Sequence, residues 1–432
     1  MPIRNNTAKE GNDMLKRIIG KTAFVIIAAI FLTSCSANVP SKTGTPGQAN
    51  TGTATPSQSP GQTPAETTTP APTPTPAPTP TPTPEPTPEA KEPVKVKAVY
   101  LTGSTVAKSI DHYIDLVNKT ELNSLVIDIK ENGYINYESN IPLARELSLW
   151  KKVYDVNEVL KKCHDNNIYV IGRIVVFRDN GLSTQKPEYG IKKPNGSLWK
   201  EGKHGSWTNP YIQEVCDYNI EIAKEAAELG FDEIQFDYVR FPTTSAKEVA
   251  YGDDAPPKSE AINGFLKKAA EEIKKVRDIP VSADIFGIVI ESDRDGKAIG
   301  QMFDEIGLHI DYISPMIYPS HYANASKGVF GNGVGQTING ILFTAPDLEP
   351  YKVIYNALLK TKDRISKVPG YKAKVRPYLQ DFTIKMTEGY YQVYGAKQVR
   401  EQIQAVYDAG YEEWILWDGS NTYSEDALLP EE

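Results

Sequence analysis

The sequence predicts a closed (β/α)8 barrel as a single globular domain behind a secretory leader and a disordered linker. Three observations predict it. Short apolar segments rich in β-branched and aromatic residues number eight, helical patterns alternate with them, and one stretch of about 340 residues carries them all. Strands that alternate with helices run parallel, and eight such units in one domain close into a barrel.

Residues 1–35 read as an address. "MLKRIIGKTAFVIIAAIFLTSC" places Lys16, Arg17 and Lys21 before an apolar run from Ala23 to Leu32, with Met14 as the natural start. That run falls short of the roughly 20 apolar residues a membrane span needs, and it fits the core of a signal peptide. "LTSC" resembles the bacterial lipobox, which implies that Cys35 is lipidated and anchors the mature chain to the membrane. A plain signal peptide with an incidental cysteine is the alternative. Residues 36–93 are dominated by "TPTPAPTPTPTPEPTPEA" and its neighbours, with almost no side chain able to build a core. Alternating prolines favour polyproline II at about 3.1 Å per residue, so this stalk reaches on the order of 150 Å. The expected location is extracytoplasmic, on a bacterial cell membrane.

Residues 94–432 form the predicted barrel. A net charge of −8 argues against nucleic acid, which calls for a basic surface. Cys163 and Cys216 fall in helical stretches and read as buried free thiols, with a disulfide as the alternative. Five histidines without zinc spacing give no support to a metal site, so no metal or cofactor is expected, and a monomer is.

The eight strands are "VKAVYLTG" (96–103), "SLVIDIKE" (124–131), "IYVIGRIVVF" (168–177), "DEIQFDYVRF" (232–241), "PVSADIFG" (280–287), "DYISPMIYP" (311–319), "KVRPYLQDF" (374–382) and "EEWILWDG" (412–419). Helices are predicted in "YDVNEVLKKCHDNN", "YIQEVCDYNIEIAKEAAELG", "EAINGFLKKAAEEIKKVRD" and "AKQVREQIQAVYDAG", with Gly230 and Gly410 at C-terminal caps. An open doubly wound sheet is the rival, but no Gly-x-Gly-x-x-Gly follows the first strand.

In such a barrel the active site forms at the C-terminal strand ends. Alternation along each strand aims Asp128 and Lys130, Gln235 and Asp237, and Ser282 and Asp284 into the mouth. Asp381 falls on the opposite parity from Gln380. Neighbouring strands lie about 4.8 Å apart, so carboxyl groups on strands four and five can stand roughly 5–9 Å apart, the range that brackets a glycosidic bond. Asp237 and Asp284 are therefore the candidate catalytic pair, with Glu291 in reserve. Arg240 is expected to hold Asp237 ionised as nucleophile or cation stabiliser, leaving Asp284 as proton donor. A structural ion pair between Asp237 and Arg240 is the bland alternative.

Asp128, Lys130, Arg173, Arg240, Tyr318, His321, Gln380, Trp417 and Asp418 are the candidate substrate-binding groups at the rim, although Asp418 in "LWDGSN" also suits a simple Asp-Gly turn. Residues 178–208 make a loop of about 30 residues where roughly 2–6 are usual, which points to function. Its Trp199 and Trp207 offer flat faces to sugar rings, with packing under the loop as the alternative.

"GFDEIQFDYVRFP", with "VYLTG", "SLVIDIKE", "RIVVF", "SWTNPY", "SADIFG", "SPMIYPSHY" and "ILWDGSN", resembles a bacterial family of glycoside-hydrolase domains of unassigned specificity. The resemblance spans nearly all of 94–425. It implies a TIM barrel distantly similar to the α-amylase-like and related glycosidase barrels, and an extracytoplasmic setting in many members. It brings no characterised substrate or catalytic pair. The expected substrate, a cell-wall or capsular polysaccharide, comes from the acids, the long loop and the stalk. One departure is visible: amylases carry an arginine two residues before the strand-four aspartate, whereas here Gln235 stands there and Arg240 follows. A non-catalytic glycan-binding surface lipoprotein is the second reading, and metal-assisted hydrolysis by an aspartate cluster the third.

Overall fold

The computed structural model describes residues 93–431 apart from 246 and 253; the leader, Cys35 and nearly all of the stalk lie outside the described residues. Eight parallel strands follow one another around a closed barrel. They are β1 Lys97–Leu101, β2 Ser124–Glu131, β3 Tyr169–Val175, β4 Glu233–Asp237, β5 Val281–Phe286, β6 Tyr312–Met316, β7 Lys374–Val375 continuing as Tyr378–Gln380, and β8 Trp414–Trp417. Each pairs with the next, and β8 pairs back with β1 to shut the cylinder. Pro377 sits at the break in β7, where its missing N–H removes one ladder bond.

One helix follows each of the first seven strands on the outside: α1 Gly103–Val117, α2 Val156–Asp165, α3 Gln213–Leu229, α4 Lys258–Val276, α5 Asp293–Ile299, α6 Pro350–Ser366 and α7 Ala396–Asp408, with shorter helices in the loops. Asp155 caps α2 by accepting from the Glu158 amide at 3.2 Å. Gly230 closes α3 at φ +116°, a conformation that favours glycine. An eighth helix is expected after β8, but the described chain there makes only the 3-10 turn Glu425–Ala427.

Strand parity divides the apolar residues into two cores. Val96, Ala98, Tyr100, Val126, Ile171, Tyr378 and Ile415 fill the inside of the barrel. Leu125, Ile127, Val170, Ile234 and Phe236 face the helices, where Phe236 meets Phe265 of α4 edge-on at 5.1 Å. A buried polar plug closes the N-terminal end: Arg376 donates to both oxygens of Glu233 at 2.8 and 3.0 Å and to Glu413 at 2.9 Å. Above it, Tyr378 donates to Gln235 at 2.6 Å. The barrel is packed solid from below, so the chemistry of its mouth stands on a rigid floor.

The segment 178–208 is long but not structureless. It holds the short helix Asn180–Gln185, two 3-10 turns and bridges such as Gly190 to Thr208. Cys163 and Cys216 are buried free thiols, and burial pushes each up to about 12.

Candidate active site

Strand β4 ends abruptly. Asp237 is its last residue, and Tyr238 turns to φ +49°, a left-handed conformation that bulky side chains rarely adopt. The turn lets the Tyr238 amide donate to Asp237 Oδ1 at 2.5 Å. It also carries Tyr238 off the outward parity expected for it, so that its ring stands against Trp207 and its hydroxyl accepts from Arg178 at 2.5 Å.

Asp237 takes its cation from β3. One terminal nitrogen of Arg173 donates to Asp237 Oδ2, the other to Asp128 Oδ1, and its Nε lies 3.8 Å from Asp284 Oδ2. Sheet register explains the grouping, since Asp128 lies beside Arg173, and Arg173 lies beside Gln235, two residues below Asp237 on the same face. Three sequence candidates, Asp128, Asp237 and Asp284, thus gather round the guanidinium of a fourth, Arg173. Arg240 does not serve as Asp237's partner. It donates to its neighbour's carbonyl, Phe241 O, at 3.0 Å and is enclosed by aromatic rings.

Asp284 is 1% exposed, and its Oδ1 is buried with no hydrogen-bond partner. Burial first, and then the negative charge of Asp237, push its carboxyl well above the usual range despite Arg173. Burial and the neighbouring Asp237 thus both favour the protonated form of Asp284 at this strand end.

Strand β2 contributes a group that parity counting misses. The register slips between Asp128 and Lys130, which brings Lys130 level with outward-facing Ile174. Lys130 consequently leaves the mouth. It is fully buried among the helices, donates to Asn219 at 2.9 Å and pairs with Asp179 at 2.6 Å, tying β2 to the long loop. Glu131 comes to the rim instead and shares a hydrogen bond with Asp128. Two carboxyl groups bond to each other only when one keeps a proton, and burial and the Asp128 charge push Glu131 up to about 8. Asp128 is fixed from below, its second oxygen accepting from Tyr100 at 2.6 Å and its carbonyl from Asn136 and Tyr154 at 3.0 Å each. The Asn132-Gly133 pair, at φ +50° and +81°, folds β2 into a hairpin with Tyr134–Ile135 immediately after Glu131. That Asn-Gly pair is the signal that marks Glu131 as a strand tip.

The opposite side of the mouth is aromatic. Trp417 stacks on Tyr100 at 6.3 Å, and lies 5.7 Å from Tyr318 and 5.1 Å from Phe382. His321 joins this group through Tyr318 and Phe382 while staying exposed to solvent. Other candidates lie elsewhere. Trp199 and Trp207 are buried, with no face open to a sugar, and Trp207 donates to Glu201 at 3.1 Å. Gln380 spends its amide on Asp347 and on the main chain of Ser320 and Phe382. Asp418 accepts from Ser420 and Thr422, the turn geometry, and Asp381 accepts from Ser424. Glu291 accepts from the Asn339 amide at 3.1 Å, and the charges around it are Lys360 and Arg364, so it stands apart from the Arg173 group. Among the described residues no group of three or more His, Cys, Asp or Glu side chains is arranged to hold a metal ion; the acids here are organised on an arginine.

A family model described as "Putative glycosyl hydrolase domain" matches residues 98–423, from β1 through the turn after β8. The chain belongs to this family. No curated protein sequence matches it. A hypothetical protein from Ruminiclostridium thermocellum is 49% identical, over 43% of this chain and 96% of its own, with a TM-score of 0.40. The PgaB (BpsB) glycoside hydrolase domain from Bordetella bronchiseptica is 12% identical, over 76% of this chain and 94% of its own, with a TM-score of 0.53. The second likeness shows a shared fold.

Proposed function

We propose that this glycosyl hydrolase domain cleaves an extracellular, cell-wall or capsular polysaccharide with two carboxyl groups. Asp237 faces the sugar carbon as charge builds there, attacking it or stabilising it, and Asp284 gives its proton to the departing oxygen. One observation carries the reading. Adjacent strand ends present Asp237, held by Arg173, and next to it the buried Asp284 carboxyl, with an unpartnered oxygen and a pKa that burial pushes upward. The N-terminal sequence supports a setting outside the cytoplasm, with Cys35 lipidated and the stalk extending a monomeric barrel toward its substrate.

Incubation of the purified protein with bacterial wall and capsular polysaccharides is expected to release reducing ends. Asp237→Asn and Asp284→Asn are each expected to lower that release by on the order of 10²-fold or more. Undiminished release from Asp237→Asn would refute the mechanism. The near-complete burial of Asp284 favours one competing reading, a glycan-binding lipoprotein without turnover; it predicts retention of oligosaccharides that are never shortened.

A further inference from the structure

Three arginines stand near the β3–β5 rim, and their partners differ. Arg173 is held by aspartates, and Arg178 pairs with Glu201 at 3.6 Å. Arg240 has no carboxylate partner among the described residues, although it is only 6% exposed. Of the five N–H donors on a guanidinium, the one bond among the described residues goes to Phe241 O at 3.0 Å. Rings cover the group, with Phe286, Trp207 and Tyr238 centroids at 4.3, 4.9 and 5.0 Å. None of its nitrogens is among the fully buried atoms lacking a partner, so the unused donors still reach solvent.

Such an arrangement is costly. Burial opposes the charge and lowers the Arg240 pKa; Tyr238, the charges of Glu201 and Asp237, and the cation–π contacts offset only part of that. A chain that needed only to fill this corner would do better with leucine or methionine. Position supplies the reason. Arg240 follows Asp237 by three residues and lies against Phe286, two residues beyond Asp284. The guanidinium is thus near enough to Asp237 to feel its charge and is packed on Phe286 at the end of β5, with donors left over.

We propose that Arg240 binds a carboxylate on the substrate, so that the glycan taken by this site is acidic, carrying a uronate or another carboxyl-bearing sugar next to the bond to be cut. The proposal rests on the hydrolase reading for the position of that bond. The chain's net charge of −8 opposes long-range capture of a polyanion. Selection therefore occurs at contact, through one desolvated charge pair, and not through a basic surface.

The test is affinity electrophoresis of the full-length protein in gels containing polygalacturonate, glucuronan, hyaluronan or xanthan, each run beside its carboxyl-reduced counterpart. At least one acidic polymer is expected to retard the protein, with retardation weakened roughly 10- to 100-fold on carboxyl reduction. Arg240→Met is expected to lose the difference between each pair, and Arg240→Lys to keep part of it; thermal melts confirm that each variant is folded. Retardation by none of the acidic polymers overturns the proposal. So does equal retardation by acidic and reduced forms, or an unchanged difference in Arg240→Met. Cleavage of a neutral glycan by a fully active Arg240→Met leaves the hydrolase reading standing and removes this one. Acid-selective binding without cleavage does the reverse.

Discussion

Arg173 reaches Asp237 with one terminal nitrogen and Asp128 with the other, so a single planar fork spans the ends of β2 and β4. The fork does two things. It compensates carboxylates that water barely reaches, and it fixes the spacing between the tips of β2 and β4. Arg173→Met is expected to destabilise the barrel by about 3–5 kcal/mol, because it leaves buried carboxylates without their cation. It should also reduce reducing-end release on the order of 10²-fold. Arg173→Lys restores the charge without the fork and should recover stability in part but little activity. Urea denaturation and turnover on the same preparations separate the two effects. A fully active lysine variant would show that the fork geometry is dispensable.

Two carboxyls whose pKa burial raises, Asp284 and Glu131, lie near the mouth, and leaving-group dependence distinguishes their roles. A proton donor matters most when the departing oxygen is a poor leaving group. Asp284→Asn is expected to lose nearly all turnover of the polysaccharide yet keep much of its rate on a nitrophenyl glycoside of the same sugar. Glu131→Gln should affect both substrates alike, by roughly tenfold or less. The inverse pattern would move the proton donor from Asp284 to Glu131.

Glu131 also leaves a mark on stability. In the folded barrel it keeps its proton up to about 8, against an ordinary value of 4.5. Between those limits the folded chain binds more protons than the unfolded chain, so the contribution of Glu131 to stability falls as pH rises. Glu131→Gln removes that slope. Melting temperatures of both proteins from pH 5 to pH 8 should therefore converge or cross, with the variant gaining relative to the wild type at the alkaline end. Parallel curves would mean that Glu131 titrates normally.

The barrel itself was legible because hydrophobic period is a local property. Each strand falls inside an apolar segment that turn formers delimit, and Gly230 ends α3 where its left-handed φ is needed. The site was legible only in part, for two physical reasons. Counting by twos along β2 assumes an unbroken pleat, and the slip between Asp128 and Lys130 exchanges Lys130 for Glu131 at the mouth. Neighbourhood in sequence suggests Arg240 as the partner of Asp237, whereas cross-strand register delivers Arg173 from β3. No pattern in "DYVRF" foretells that Tyr238 will take φ +49° and turn Arg240 into a nest of rings. That outcome depends on Trp207, which arrives from a loop more than thirty positions away on the chain.

The tryptophans give the last contrast. Trp207 is fully buried, touches Tyr238 at 5.7 Å and anchors the long loop through Glu201. Trp417 is half-buried, with Tyr100, Tyr318 and Phe382 backing it at the mouth. Truncation should therefore act differently at the two positions. Trp207→Ala is expected to cost about 3–5 kcal/mol of stability, the usual range for emptying a large aromatic site. Trp417→Ala should leave the melting temperature within a few degrees and raise KM roughly tenfold, through loss of an apolar platform for a sugar face. Denaturation curves and glycan titrations on both variants provide the check. A Trp417→Ala protein that melts early but binds normally would place Trp417 in the packing of the barrel and not in its binding surface.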